Sequence, residues 1–394
     1  MSSPKTSRKQ EWSPHMWEGC HFVAWARLLV RNRIAVGLPY WWIAIIITFV
    51  SFCHTLLSIL QNCWYGPQIR RTPISQAPIF IIGHWRTGTT LLHEYLILDE
   101  RHNFANTYQC LDPTHCLLTE DFFTRFVGFL TPSHRPMDNM KAGWIRPQED
   151  EFALCMLGLP SPYLTLAFPN RPPQYPEYLD LEGLSRQELA NWKRILFHFL
   201  QVLTFKNPKR LVLKSPPHSC RIKTLLEMFP DARFVHIMRD PYVVFPSTVN
   251  LWKSLYRKHG LQTPTFAGLE EYVFSTFNRL YRKMEHGIPL IPRGRFHQVH
   301  YEDLVADPIG EMEKLYDRLD LGGFEEYVPR LKEYLADNSG YETNRYQLDP
   351  RQRAEITRRW GDVIRRYGYE TAPISAIEEK VIAPTEPQEV HAGA

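Results

Sequence analysis

Between Arg33 and Arg70 the chain contains no Asp, Glu, Lys or Arg. A helix on a water-exposed surface carries charge along one face, so this interval is not an ordinary one. Elsewhere acidic and basic residues nearly cancel, to a formal net charge of +4, which gives no global support for a nucleic-acid-binding surface. The seven cysteines (Cys20, Cys53, Cys63, Cys110, Cys116, Cys155, Cys220) include no CxxC pair, and no Cys/His cluster has zinc spacing. An odd number in a 394-residue chain reads as reduced thiols in a cytosol-facing protein rather than a disulfide framework. No internal repeat is visible. What is present is a globular composition, 44% apolar and 13% aromatic, long enough for one large domain or two small ones.

The uncharged interval bears on membranes. Leu38 to Leu60 is as long as the stretch of about 20 apolar residues that a bilayer span needs. Trp41-Trp42 and Trp64-Tyr65 sit at its ends, as an aromatic belt would. Two features oppose a plain span. Thr48, Ser51, Thr55, Ser58 and Asn62 recur at helical spacing as a soft polar stripe, with His54 beside it. Basic residues also lie on both flanks (Arg27, Arg31 and Arg33 before; Arg70 and Arg71 after), so charge selects no orientation. With a helical pattern from Met16 to Arg33, residues 16–65 are expected to form a hairpin that lies in the membrane interface or packs on the catalytic domain. The apolar run starts too late for a cleaved signal peptide. The chain then divides into a flexible basic N-terminus (1–15), a hydrophobic helical hairpin (16–72), a catalytic domain (73–371) and a flexible tail (372–394).

The catalytic domain opens on Pro78-Ile79-Phe80-Ile81-Ile82-Gly83-His84-Trp85-Arg86-Thr87-Gly88-Thr89-Thr90-Leu91-Leu92. Its apolar run has the composition of a strand buried on both faces. Gly83 and Gly88 bracket a tight loop, and an apolar helix-period segment follows. Strand, glycine loop and helix N-terminus make an anion cradle, because backbone N–H groups and the helix dipole both face the ligand. Gly83 and Gly88 have Walker A spacing, but Thr89 stands where the lysine of that motif would be and the cation is inside the loop, at Arg86. The loop is therefore read as an oxyanion site rather than a nucleoside-triphosphate site.

Further along, Arg210–Lys214, Arg233–Arg239 and Phe296–Tyr301 read as strands, alternating with helices at Arg221–Phe229, Pro241–Leu255 and Glu302–Leu319. Such alternation implies an α/β fold whose central parallel sheet is flanked by helices and binds ligands at the carboxyl ends of its strands. Residues 99–175 are loop-rich and aromatic, the composition of a lid or pocket wall. Pro147 to Glu151 is expected to start a helix, and Ser185 with Glu188 forms a capping box for another running to Leu203. At the end of the Arg233–Arg239 strand, Arg239 is followed eight residues later by Ser247, so both can reach one anion at the next helix start.

With these motifs the chain resembles the sulfotransferases that use 3′-phosphoadenosine-5′-phosphosulfate (PAPS). Arg86-Thr87-Gly88-Thr89-Thr90 is similar to the RSGTT or KSGTT loop that binds the 5′-phosphosulfate in that family, a role the resemblance extends to Leu91. Arg239 and Ser247 match its 3′-phosphate pair, and Lys214 matches the lysine that ends the preceding strand. Tyr341 and Arg345 fall in a late loop that would close over the 3′-phosphate. Residues around Thr107–Cys110 and Pro147–Glu151 look like a bacterial branch of the family.

The resemblance implies in-line transfer of a sulfuryl group, with PAPS as donor co-substrate and no metal, through a loose transition state stabilised by positioned charge. Arg86 and Lys214 are the expected cations. The general base is less legible. The family's glutamate register falls here on Tyr108-Gln109, and its alternative histidine position is Pro216. His218, Glu149 and His115 remain, with His218 favoured for its place just after Lys214. The acceptor is a hydroxyl or amine of a small molecule, a lipid or a saccharide, with a lipid-like alcohol suggested by aromatic residues and the hydrophobic N-terminus. The implied location is cytoplasmic, at the inner face of the membrane. A P-loop small-molecule kinase and a non-catalytic membrane adaptor on a transferase fold are the competing readings.

Overall fold

The computed structural model describes residues 15–126, 143–338 and 346–371. The expected flexible termini lie almost wholly outside these residues, as do Tyr341 and Arg345.

Five strands form one parallel sheet: β1 (Ile79–Ile82), β2 (His102–Phe104), β3 (Arg210–Lys214), β4 (Arg233–Met238) and β5 (Phe296–His300), in the order β2-β3-β1-β4-β5. All four residues of β1 are buried. Phe80 and Ile82 enter the larger core cluster, whereas Ile79 and Ile81 enter a second one with Leu92, Leu96, Met312 and Leu331. Alternate side chains point to opposite faces of a strand, and both faces are covered, hence the unbroken apolar run. β2 goes beyond the expectations. It is short and polar, and is held at the sheet edge partly by Asn103, which donates to the carbonyls of Leu203 and Asn207.

The remaining helices, in chain order, are α1 (Phe22–Arg31), α2 (Trp41–Arg71), α3 (Thr89–Leu96), α4 (Thr107–Leu111), α5 (Cys116–Phe126), α6 (Asp150–Met156), α7 (Arg186–Lys206), α8 (Ile222–Met228), α9 (Pro241–His259), α10 (Leu269–Gly287), α11 (Tyr301–Ala306), α12 (Pro308–Arg318), α13 (Phe324–Asp337) and α14 (Pro350–Arg366). The Ser185 capping box is formed as expected at the start of α7. α6 starts at Asp150, three residues after Pro147, and Glu149 becomes its N-cap residue. Among the described residues of the expected loop-rich stretch, α4, α5 and α6 are helical. Tyr108, Phe123 and Trp144 pack together there as a minor core, and Phe168 is buried.

α1 and α2 form the N-terminal hydrophobic hairpin. Trp17, Trp25, Ala44 and Ile47 join the main core, and the Trp17 indole donates to the His259 carbonyl at 2.7 Å. The polar stripe of α2 faces this interior. Thr48 accepts from the Trp25 indole, Thr55 accepts from the Phe22 amide, and Ser51 and Ser58 are buried. Gln61 both donates to the Thr114 carbonyl and accepts from the Leu117 amide. Asn62 departs from the stripe and is exposed. The opposite face presents Trp42, Ile45, Phe49, Phe52, Leu56, Ile59 and Trp64 outward, with Phe49 69% exposed. Residues Leu38–Arg71 are long and apolar enough to cross a membrane.

Candidate active site

The chain leaves β1 toward β2 on one side, and leaves β3 toward β4 on the other. Loops diverge at that switch point and open a crevice beyond the strands' carboxyl ends. Gly83 and Gly88 are required by packing as well as by conformation. A Cβ on Gly83 would lie 2.7 Å from the Ile237 carbonyl oxygen, and one on Gly88 (φ 98°) would lie 2.3 Å from the Tyr301 ring. No side chain caps α3, so its first-turn amides keep the character of an anion site.

Between the glycines, Arg86 adopts φ 71°, a left-handed conformation unusual for a residue with a Cβ. Contacts from the next strand-end motif hold it there. Arg86 Nε donates to Ser247 Oγ at 3.0 Å, and Arg239 Nη1 donates to the Arg86 carbonyl at 3.3 Å. The Arg239 guanidinium also lies 4.1 Å from the Tyr301 ring centre. Arg86 thus meets Arg239 and Ser247, each more than 150 residues further along the chain. Thr87 turns its hydroxyl back to the His84 carbonyl, which shapes the loop, and Thr89 is buried at the helix start. Thr90 and Leu91 are partly exposed.

Beside this loop, Lys214 Nζ lies 2.9 Å from Glu149 Oε1. The Tyr163 hydroxyl donates to Glu149 Oε2 at 2.5 Å and in turn accepts from the Trp85 indole at 2.8 Å. Burial first, then the Glu149 carboxylate, pushes the Tyr163 phenol well above its ordinary value, so it remains a proton donor to that carboxylate. Lys214 is almost fully buried, while the Glu149 side chain retains 14% exposure at the crevice.

His218 does not fold back over Lys214, and this corrects the expectation that favoured it as base. Its Nε2 lies 2.6 Å from Asp150 Oδ2, both side chains are fully buried, and its ring packs edge-on against Phe80 and Trp192. Ser215 also donates to Asp150. Burial alone would raise the Asp150 carboxyl, but the facing His218 and the Ser215 bond hold it below the usual range. Glu151, next in sequence, makes two hydrogen bonds with Arg221 and accepts from Ser161. Three consecutive acids therefore take three successive basic side chains, Lys214, His218 and Arg221. The two inner pairs clamp the first turn of α6, leaving Glu149 at the crevice. His115 lies elsewhere, partnered with Thr119 and facing His54 from α2. Gln109, at the family's glutamate register, closes a capping box with Asn106 and donates to Glu120.

Tyr163, Trp85, Asp150, Glu151 and Arg221 were not anticipated from sequence. The one signal available was the match between the run at 149–151 and the cations at 214, 218 and 221. Cation spacing of four and three residues has no meaning until β3 is placed beside α6.

A family model described as "Sulfotransferase family" matches residues 78–326. The chain belongs to the sulfotransferase family. It is 54% identical over 369 residues to the omega-hydroxy-beta-dihydromenaquinone-9 sulfotransferase Stf3 of Mycobacterium bovis, covering 94% of this chain and 95% of that protein, and equally to its Mycobacterium tuberculosis counterpart. The crystal structure of sulfotransferase STF9 from Mycobacterium avium superposes with a TM-score of 0.64 at 20% identity, over 89% of this chain and 97% of that one. That likeness shows the shared fold. The protein is accordingly a sulfotransferase, an enzyme that takes its sulfuryl group from a sulfate donor, and the kinase and adaptor readings fall away.

Proposed function

We propose that this sulfotransferase moves a sulfuryl group from PAPS to the hydroxyl of a membrane-resident lipid alcohol, with Glu149 as general base. The observation that carries the assignment is the Glu149 carboxylate, poised between Lys214 and Tyr163 next to the Arg86 loop. The amides of Thr87–Leu91 and the Arg86 guanidinium hold the 5′-phosphosulfate, and Arg239 and Ser247 hold the 3′-phosphate.

In the reaction the acceptor oxygen attacks sulfur as the bond from sulfur to the bridging oxygen breaks. Lys214 turns from Glu149 to the bridging oxygen, where negative charge builds, and Arg86 neutralises the phosphate behind it. Glu149, released from the ammonium, takes the acceptor's proton while Tyr163 fixes its second oxygen. The products are a sulfate ester and 3′,5′-adenosine bisphosphate. The cations in this scheme are side chains, and no step calls for a metal.

The lipid reading rests on two supports: the outward apolar face of α2, and a relative at 54% identity whose name specifies a hydroxylated menaquinone derivative. The seven thiols are all free, in keeping with a cytoplasmic position. The hairpin then seats the enzyme on the inner membrane surface, from which carbonate washing should release it. The test incubates vesicle-bound enzyme with ³⁵S-labelled PAPS and either ω-hydroxylated dihydromenaquinone, a saccharide or an amine. Label in the lipid extract supports the proposal. Label only on the saccharide or amine overturns it.

A further inference from the structure

Among the contacts of α2 with the catalytic domain is a group of side chains that the reaction does not use. His54 of α2, Asp112 after α4 and His115 before α5 bring one ligand atom each to within 4.8 Å of one another. His54 Nδ1 is 3.1 Å from Asp112 Oδ1, and His115 Nε2 is 3.8 Å from the same oxygen. All three atoms are buried, and among the described residues none makes a hydrogen bond. The His54 contact is close enough for such a bond but is not aligned for one.

The Thr119 hydroxyl accepts from the Tyr108 hydroxyl and has one proton, with the His115 carbonyl at 3.0 Å and His115 Nδ1 at 2.8 Å as its two candidate acceptors. With that proton on the carbonyl, the contact to Nδ1 is a bond donated by the imidazole. Nε2 of His115, whose side chain is only 2% exposed, is left as a bare lone pair aimed at a carboxylate oxygen. Two acceptors facing each other in a buried site repel, and leaving buried polar atoms unpaired costs roughly 1–3 kcal/mol each. A cation between them removes the repulsion and satisfies all three atoms.

We infer that His54, Asp112 and His115 form a binding site for a divalent transition-metal ion, zinc by chemistry, which fastens the apolar helix α2 to the catalytic domain. Nitrogen and carboxylate ligands suit zinc, whose tetrahedral bonds of about 2.0–2.1 Å set ligand atoms roughly 3.4 Å apart, between the two separations seen here. Thr119 is the outer partner that fixes the imidazole of a metal-binding histidine. His54 and Asp112 keep 18% and 16% side-chain exposure, which leaves room for a water as fourth ligand. The ion is structural, separate from sulfuryl transfer.

The test uses the full chain purified in detergent, stripped with a chelator and then given Zn²⁺ or Co²⁺. The expected result is close to one zinc per chain by elemental analysis, a melting temperature that rises by about 3 °C or more with micromolar Zn²⁺, and a visible absorption band of tetrahedral Co²⁺. His115→Gln and Asp112→Asn should each abolish the zinc-dependent shift. Should His115→Gln fail to fold, Asp112→Asn and the wild-type titration carry the test. Absence of bound zinc together with an unchanged melting temperature overturns the inference and assigns the gap to water. So does a zinc shift that persists in the variants.

Discussion

The crevice and the hairpin handle polarity in opposite ways. At the crevice, ionisable side chains are drawn into an apolar interior and each is matched: Lys214 with Glu149, His218 with Asp150, Arg221 with Glu151. On α2 the hydroxyls are drawn inward and matched, while the large apolar side chains are turned out. α7, which packs against α2, follows the usual rule, with Trp192, Leu196, Phe199 and Leu200 buried. A buried charge network stores positioned chemistry. An inverted helix suits the membrane association proposed above. The two regions should therefore fail in separable ways.

The largest effect belongs to the crevice. Glu149→Gln should lower turnover by about 10²–10⁴-fold, the range for a general base, whether the acceptor is in vesicles or dispersed in detergent. Single-turnover sulfuryl transfer measures it, and a loss below tenfold would remove Glu149 from the role. Arg86→Ala should cost about 10²–10³-fold in turnover, equivalent to roughly 2.7–4 kcal/mol of transition-state stabilisation. Arg221→Met tests whether the inner pairs are scaffold. Stranding Glu151 without its partner should destabilise the fold by about 3–5 kcal/mol, and the double change Arg221→Met/Glu151→Leu should recover most of it in urea melts.

The hairpin gives the converse pattern. Replacing Phe49, Phe52 and Leu56 with serine removes about 1 kcal/mol of apolar burial each and should weaken vesicle partitioning by about a hundredfold. Turnover on a detergent-dispersed acceptor should hold, and if it fell equally the two regions would not be separable. The smallest effect is expected from Ser185→Ala, which opens the α7 capping box and should cost about 1 kcal/mol in thermal melts without touching either activity or partitioning.

Much of the fold is legible because its signals are local. The Ile-rich run of β1, the glycines of the loop, the capping box of α7 and the alternation of strand and helix each lie within about 20 residues. β2 escaped because an edge strand of His102-Asn103-Phe104 has no apolar run to announce it. The site divides in the same way. Arg86, Lys214, Arg239 and Ser247 sit in recognisable motifs, whereas Tyr163 and Trp85 matter only through contacts across 78 residues of chain. His218 misled because proximity in sequence to Lys214 was taken for proximity in the crevice, and a short helical turn sends its ring into the core instead.

By itself the sequence determined the parallel α/β frame, the oxyanion loop with its cation at Arg86, and the uncharged helix near the N-terminus, since each follows from residues adjacent along the chain. Tertiary structure alone decided which carboxylate of Glu149, Asp150 and Glu151 faces the crevice, because that depends on which basic side chain between Lys214 and Arg221 each one meets. It also decided that the polar stripe of α2 points inward, and that His54 comes to lie beside Asp112 and His115. Those three residues have no metal-binding spacing in the sequence. They meet because α2 is packed on the domain and satisfies its hydroxyls there, and long-range packing of that kind leaves no local trace.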